Sequence, residues 1–195
     1  KFVKERVNVI CQELARLSIS QKIKITDMQV KRMHITPAEA DASKEPWTSF
    51  DTVNDRWYGP DKHYWFRTTI TIPESFDGKN LWMRVHAGLD EWDDGRNPQF
   101  LLFANGEVIQ GMDINHREVL VEKMQAGEKI QFDLQSYTGT LHSEFRLLAD
   151  LEEHDAKIEE IYYDLIVPMQ GLNRMDEDNK TRLDLETALT NTINL

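Results

Sequence analysis

A single cysteine, Cys11, stands in 195 residues, which excludes an internal disulfide and leaves packing and hydrogen bonds to hold the fold. A disulfide-free chain fits a reducing compartment. No apolar run approaches the roughly 18 residues that cross a bilayer as a helix. The charged opening from Lys1 to Arg6 is not followed by the apolar core of a signal peptide, although a first residue other than methionine leaves an earlier, removed targeting segment open. A cytoplasmic location is expected. Basic residues are the minority: 23 Lys and Arg against 34 Asp and Glu give a formal net charge of −11. That charge repels phosphate backbones and anionic lipid surfaces, so neither nucleic acid nor a membrane is expected as a partner.

Catalytic signatures are equally scarce. The histidines, His34, His63, His86, His116, His142 and His154, never fall two or four positions apart. The H-x-H and H-x-x-x-H metal spacings are therefore missing, and one thiol cannot build a cysteine site. There is no P-loop, no dinucleotide fingerprint and no G-x-S-x-G elbow. Cys11 lies beside Ile10 and Leu14 on an amphipathic segment, the setting of an inert structural thiol. No catalytic residue and no metal ligand is assigned.

What is present is a change of texture along the chain. At this length one main domain with appendages is expected. Val3, Val7, Ile10, Leu14 and Leu17 alternate at spacings of four and three, which predicts a helix over about 3–17. Residues 18–33 mix strand-like alternation with charge, and 35–46, with Pro37, alanines and acids, reads as a loop or linker. From Pro46 short β-rich runs follow: Trp65 to Ile72, Leu81 to Gly88, Lys129 to Ser136 and Phe145 to Glu152. In the third, Ile130, Phe132 and Leu134 share one face while Gln131, Asp133 and Gln135 predict a wet side. The period turns helical again after His154, with Ile158, Ile161, Tyr162 and Leu165 on one face and Pro168 expected to end or kink that helix. A last helix is expected from about Asp176, with Leu185, Ala188, Leu189 and Thr192 along one side, running past Leu195 without a stop signal. The fold class is thus mainly β, an antiparallel sandwich or jelly roll with an N-terminal helix and a helical tail. The expected divisions are a lead-in over 1–45, a sandwich over 46–153 and a helical linker over 154–195.

The richest stretch is Asn97 to Val121. Phe100 to Ala104 is an apolar strand, Asn105-Gly106 suits a type I′ turn, and Glu107 to Gln110 returns. Phe100 and Leu102 face one way and Leu101 and Phe103 the other, so both sides of that strand need covers, one being the second sheet and the other a helix or a neighbouring domain. Asp113, Asn115 and His116 cluster where the return strand ends. Asp113 and Asn115 can bond local backbone N–H groups and build the turn, with Gly111 supplying an awkward backbone angle and His116 and Arg117 directed outward. A second polar loop carries Asp90, Glu91, Asp93 and Asp94 around Trp92, as a solvated turn, a calcium site or a sugar-stacking indole. The five tryptophans are expected mainly in core or interdomain packing.

Three segments together, DRWYGPDKHYWFRTTITIPE from Asp55, the pattern NGE-x-x-QG-x-D-x-NH-x-E from Asn105 and EEIYYDLIVP from Glu159, resemble the N-terminal region of glycoside hydrolase family 38 α-mannosidases, in their cytosolic and bacterial branch. The likeness runs over nearly the whole chain. It implies a galactose-binding-like sandwich ahead of a retaining, zinc- or other divalent-metal-dependent catalytic domain acting on α-mannosides. The His-x-His motif that opens that family's metal site is absent here, so the cofactor would belong to a downstream domain and not to this chain. The first expectation is a non-catalytic accessory domain that packs on its own downstream catalytic domain and aids assembly into a homo-oligomer or substrate access. The second is a module that itself binds a mannose-containing glycan, with Trp92, Asn97, Gln110, Asp113, Asn115 and His116 as sugar or interdomain contacts. A stand-alone hydrolase is the third.

Overall fold

The computed structural model describes residues 2–33, 36–88 and 96–194, which fall into two compact units: 22–153, and 1–21 together with 154–195. The segment 22–45 thus goes with the sandwich rather than with a separate lead-in.

The larger unit is built from antiparallel strands. Its six-stranded sheet runs in the order β3 (Thr48–Asp51), β2 (Asp27–Lys31), β5 (His63–Thr71), β10 (Lys129–Tyr137), β7 (Gln99–Ala104), β8 (Glu107–Met112). A four-stranded sheet has the order β1 (Ile19–Lys24), β12 (Leu148–His154), β6 (Asn80–His86), β9 (Glu118–Lys123). A two-stranded ribbon joins β4 (Trp57–Tyr58) to β11 (Glu144–Phe145). Period-two alternation decides what meets between the sheets: Leu81, Met83, Val85, Ala149 and Leu151 from one layer, Phe66, Leu102, Phe132 and Leu134 from the other. Trp57 sits among them, its ring 5.4 to 5.6 Å from those of Tyr64, Phe66, Phe100 and Phe145. Its indole N–H donates to the Arg146 carbonyl at 3.0 Å, which removes the cost of burying that donor. Of the other tryptophans Trp65 is buried and Trp47 and Trp82 are half-buried.

The hairpin from β7 to β8 turns as expected, with φ of 50° at Asn105 and 87° at Gly106. Asn105 also accepts from the Gln131 N–H at 3.0 Å, tying the turn to β10. A bulge after Leu102 shifts the register of the return strand.

Residues 35–46 are not simply a linker. Thr36 caps a short helix, α2 (Pro37–Ala42): its hydroxyl accepts from the Glu39 N–H while the Glu39 carboxylate reaches back to the Thr36 N–H. This helix supplies the second cover for β7, as Ala40 packs with Trp65 and Phe103 on the outer face of the sheet. The same cover alters the wet side of β10. Asp133 is only 2% exposed, facing Arg67.

The smaller unit packs α1 (Phe2–Ser18), α3 (Ala156–Leu172) and α4 (Lys180–Ile193) around Val7, Cys11, Leu165, Met169, Leu172 and Leu189. Val3, Ile10 and Leu14 join that seam, whereas Leu17, at the helix end, is exposed. Asp155 caps α3 by accepting from the N–H groups of Lys157 and Ile158. Pro168 does not end α3, which continues one turn to Leu172. The missing N–H costs a hydrogen bond, and burial of Leu165, Met169 and Leu172 around it outweighs that loss. α4 starts at Lys180 rather than near Asp176, because Asn179 is its cap. Its packed seam is Leu185, Leu189 and Ile193; Ala188 and Thr192, expected on it, are exposed. Among the described residues no helix is long and apolar enough to cross a membrane.

Candidate functional site

The polar cluster singled out in the sequence gathers at one end of the sandwich. His86 and Ala87 leave β6, Asn97 and Pro98 lead into β7, and Asp113, Ile114 and Arg117 belong to the loop between β8 and β9; together with Phe100 they line a small cleft. The space enclosed there is about 10 Å³, room for roughly one water molecule and far below that of a sugar ring.

Asp113 organises the loop. One of its oxygens, Oδ1, accepts from the backbone N–H groups of Asn115 and His116, both at 2.8 Å, and lies 3.0 Å from His116 Nδ1. Burial alone would raise the Asp113 pKa, but the two backbone donors and then the imidazole outweigh it and hold the carboxyl below the usual carboxylate range. His116 therefore turns in toward Asp113 rather than outward, although its side chain remains largely exposed. Arg117 donates from Nε to the Ile114 carbonyl at 2.9 Å, while its own carbonyl accepts from the Val85 N–H at 2.8 Å and joins the loop to β6. Next to it Arg84 pairs with Glu118 at 3.0 Å across β6 and β9.

Of the six residues expected to contact a sugar or a domain, Asn97 and Asp113 line the cleft, and Asn97 is buried. Asn115 and His116 belong to the same loop and are exposed, His116 with its Nδ1 held at Asp113. Gln110 stands opposite Leu102 in β8, half-buried and apart from the cleft. Trp92 and its acidic neighbours Asp90, Glu91, Asp93 and Asp94 lie outside the described residues. Gly111, expected to take an awkward angle, has no positive φ, and a side chain there would meet open space. The glycine that does matter is Gly139: its φ is +72°, and a Cβ on it would run into the Arg96 carbonyl oxygen. Sequence reasoning overlooked it because its partner lies 43 positions earlier, counting from Arg96 to Gly139; the only local signal was a glycine between two threonines, Thr138 and Thr140.

A second arrangement, on the outer face of the six-stranded sheet, was not foreseen at all. Arg67 donates from Nε to Asp133 at 2.5 Å and from Nη1 to Asp41 of α2 at 2.6 Å, with its guanidinium carbon 4.6 Å from the centre of the Trp47 ring. Burial by itself would lower the Arg67 pKa, but the bonds to the two carboxylates outweigh it and raise it further.

The chain matches no protein-family model and no curated protein. Among solved structures it is similar to the β-glucuronidase of Ruminococcus gnavus. The complex with uronic isofagomine matches at 9% identity and a TM-score of 0.45, over 68% of this chain and 28% of that one. The D-glucaro-1,5-lactone complex gives 10%, 0.45, 68% and 29%. A further crystal structure of that enzyme gives 10%, 0.43, 68% and 29%. At so little identity the likeness is one of fold alone, and this chain spans less than a third of those chains' length.

Proposed function

We propose that this chain is a non-catalytic accessory domain of a cytoplasmic α-mannosidase, one that packs on a downstream catalytic domain and supports assembly or substrate access. The reading starts from the three sequence segments that resemble family 38. The observation that carries it is the state of their most specific motif. Asp113 accepts three local donors through one oxygen, and the cleft beside it has space for a single water. A carboxylate so engaged by its own loop is a scaffold for a rigid polar surface, whereas a retaining glycosidase holds two carboxylates roughly 5 Å apart across a sugar. A rigid, polar, shallow surface of this kind suits contact with another domain. The metal and the nucleophile of the reaction belong, on this reading, to the catalytic domain, and no residue of this chain is assigned to either.

The test is an assay on an aryl α-mannoside with added zinc or cobalt. The full-length polypeptide that contains this chain is expected to release the aglycone, and residues 1–195 alone are expected not to. Hydrolysis by residues 1–195 alone, or a full-length protein inert toward α-mannosides, overturns the proposal.

A further inference from the structure

We infer that the uncovered half of the outer face of the six-stranded sheet is a binding site for a neutral saccharide, at the other side of the sandwich unit's large sheet from its core. The reading depends on the α-mannosidase proposal only for mannosides being the first ligands to try.

Register places the groups. Gln29, Arg67 and Asp133 are direct cross-strand partners on β2, β5 and β10, and Thr69 pairs with Gln131 in the next row. Helix α2 and Trp47 cover the sheet beyond Arg67, where Trp65, Leu101 and Phe103 lie, and the cover stops at the Arg67–Asp41 bond. Below that edge a cleft of about 520 Å³ opens over both rows, within the roughly 300–1,000 Å³ of small-molecule sites.

The chemistry on its floor is that of hydroxyl recognition. Gln131 donates from Nε2 to Asp133 Oδ2 at 2.8 Å; since a carboxylate only accepts, its amide orientation is fixed and Oε1 is left as an acceptor. Arg67 is clamped through Nε and Nη1, so the plane of its guanidinium, with its Nη2 donors, is set before any ligand arrives. The Thr69 hydroxyl and the Gln29 amide are exposed on the same two rows. Donors and acceptors on paired strands need little ordering when a ligand binds.

Charge and polarity select among ligands. Arg67 is flanked by Asp41 and Asp133, and Asp27 lines the cleft, so three carboxylates stand against two cations, Arg67 and Lys31, whose ammonium lies 4.9 Å from the same Trp47 ring. An anionic ligand is disfavoured by that excess. An apolar ligand finds amides and hydroxyls on the floor, groups it would bury without partners. A neutral ligand carrying vicinal hydroxyls satisfies them.

The experiment is a two-dimensional amide NMR titration of residues 1–195 with methyl α-mannoside, α-mannobiose and methyl α-glucoside. The expected result is saturable shifts at Gln29, Arg67, Thr69 and Gln131, with an affinity on the order of 1 mM. The double variant Gln29→Ala/Gln131→Ala, at one exposed and one half-buried position, should weaken binding at least about tenfold, while Asp113→Asn at the sandwich end leaves it unchanged. The inference is overturned if no sugar shifts these amides up to about 10 mM, if saturable shifts map instead to 113–117, or if the double variant binds as the parent does. An inactive full-length protein would remove the α-mannosidase proposal and leave this titration standing, so the two failures are told apart.

Discussion

Arg67 and Asp133 meet at 2.5 Å across the register of β5 and β10, a part-buried ion pair on what alternation alone marks as a solvated face. Its carboxylate is almost wholly enclosed, so removing one partner strands a charge. Arg67→Met is expected to cost about 3 kcal/mol in urea unfolding, and Arg67→Met/Asp133→Leu clearly less, because the double variant buries no unpaired charge. Equal losses in the two proteins would refute the role given to the pair.

The acid response of the loop between β8 and β9 follows from Asp113. Its pKa is lower in the folded chain than in the unfolded one, so its contribution is fully present above the unfolded value, near about 3.9, and disappears as pH falls through the folded value. Asp113→Asn should therefore lower stability by about 1 kcal/mol at neutral pH. The gap between parent and variant should close in denaturation curves taken below about pH 4, and a gap that persisted into strong acid would assign the loss to something other than the carboxylate's charge.

Two glycines test how the same end of the sandwich is held. At Gly139 a Cβ would overlap the Arg96 carbonyl, and φ is already in the left-handed region. Gly139→Ala should destabilise by on the order of 2 kcal/mol or more. Gly111→Ala meets nothing and needs no positive φ, so its effect should stay within about 0.5 kcal/mol. Thermal melts of the two variants side by side decide the matter.

How much of this could be read from the residues depends on how far apart the partners lie. The Asn105-Gly106 turn was legible because both torsions that define it belong to two adjacent residues. The alternation of Leu81, Met83 and Val85 likewise reveals a buried strand face. Helix α2 was overlooked although its Thr36 to Glu39 capping box is written in the sequence: six residues are too few to show a helical period, and the acids and alanines around them imitate a linker. Arg67 and Asp133 stand 66 positions apart, and no local pattern announces a pairing fixed only by sheet register. In the candidate site the Asp113 turn was legible for the same reason as the hairpin, its donors being two and three residues away. The ledge formed by Gln29, Arg67, Thr69 and Gln131 was not, since three strands must first be laid side by side.

Cys11 gives the helical unit its own probe. The thiol is buried in the seam of α1 against α3 and α4, and that burial pushes its pKa up. A thiol reagent should therefore react with the native chain only as fast as the helices open, and quickly in urea. The same burial makes a pH statement. A group whose folded pKa is raised contributes its full share below the unfolded value, about 8.5 for a thiol, and that share is lost as pH climbs toward the folded value. The helical unit should thus weaken above about pH 8.5 in the parent, and Cys11→Ala, which also leaves a small void, should lack that alkaline component. Rapid labelling of Cys11 in the folded protein at neutral pH would contradict the packing seen here.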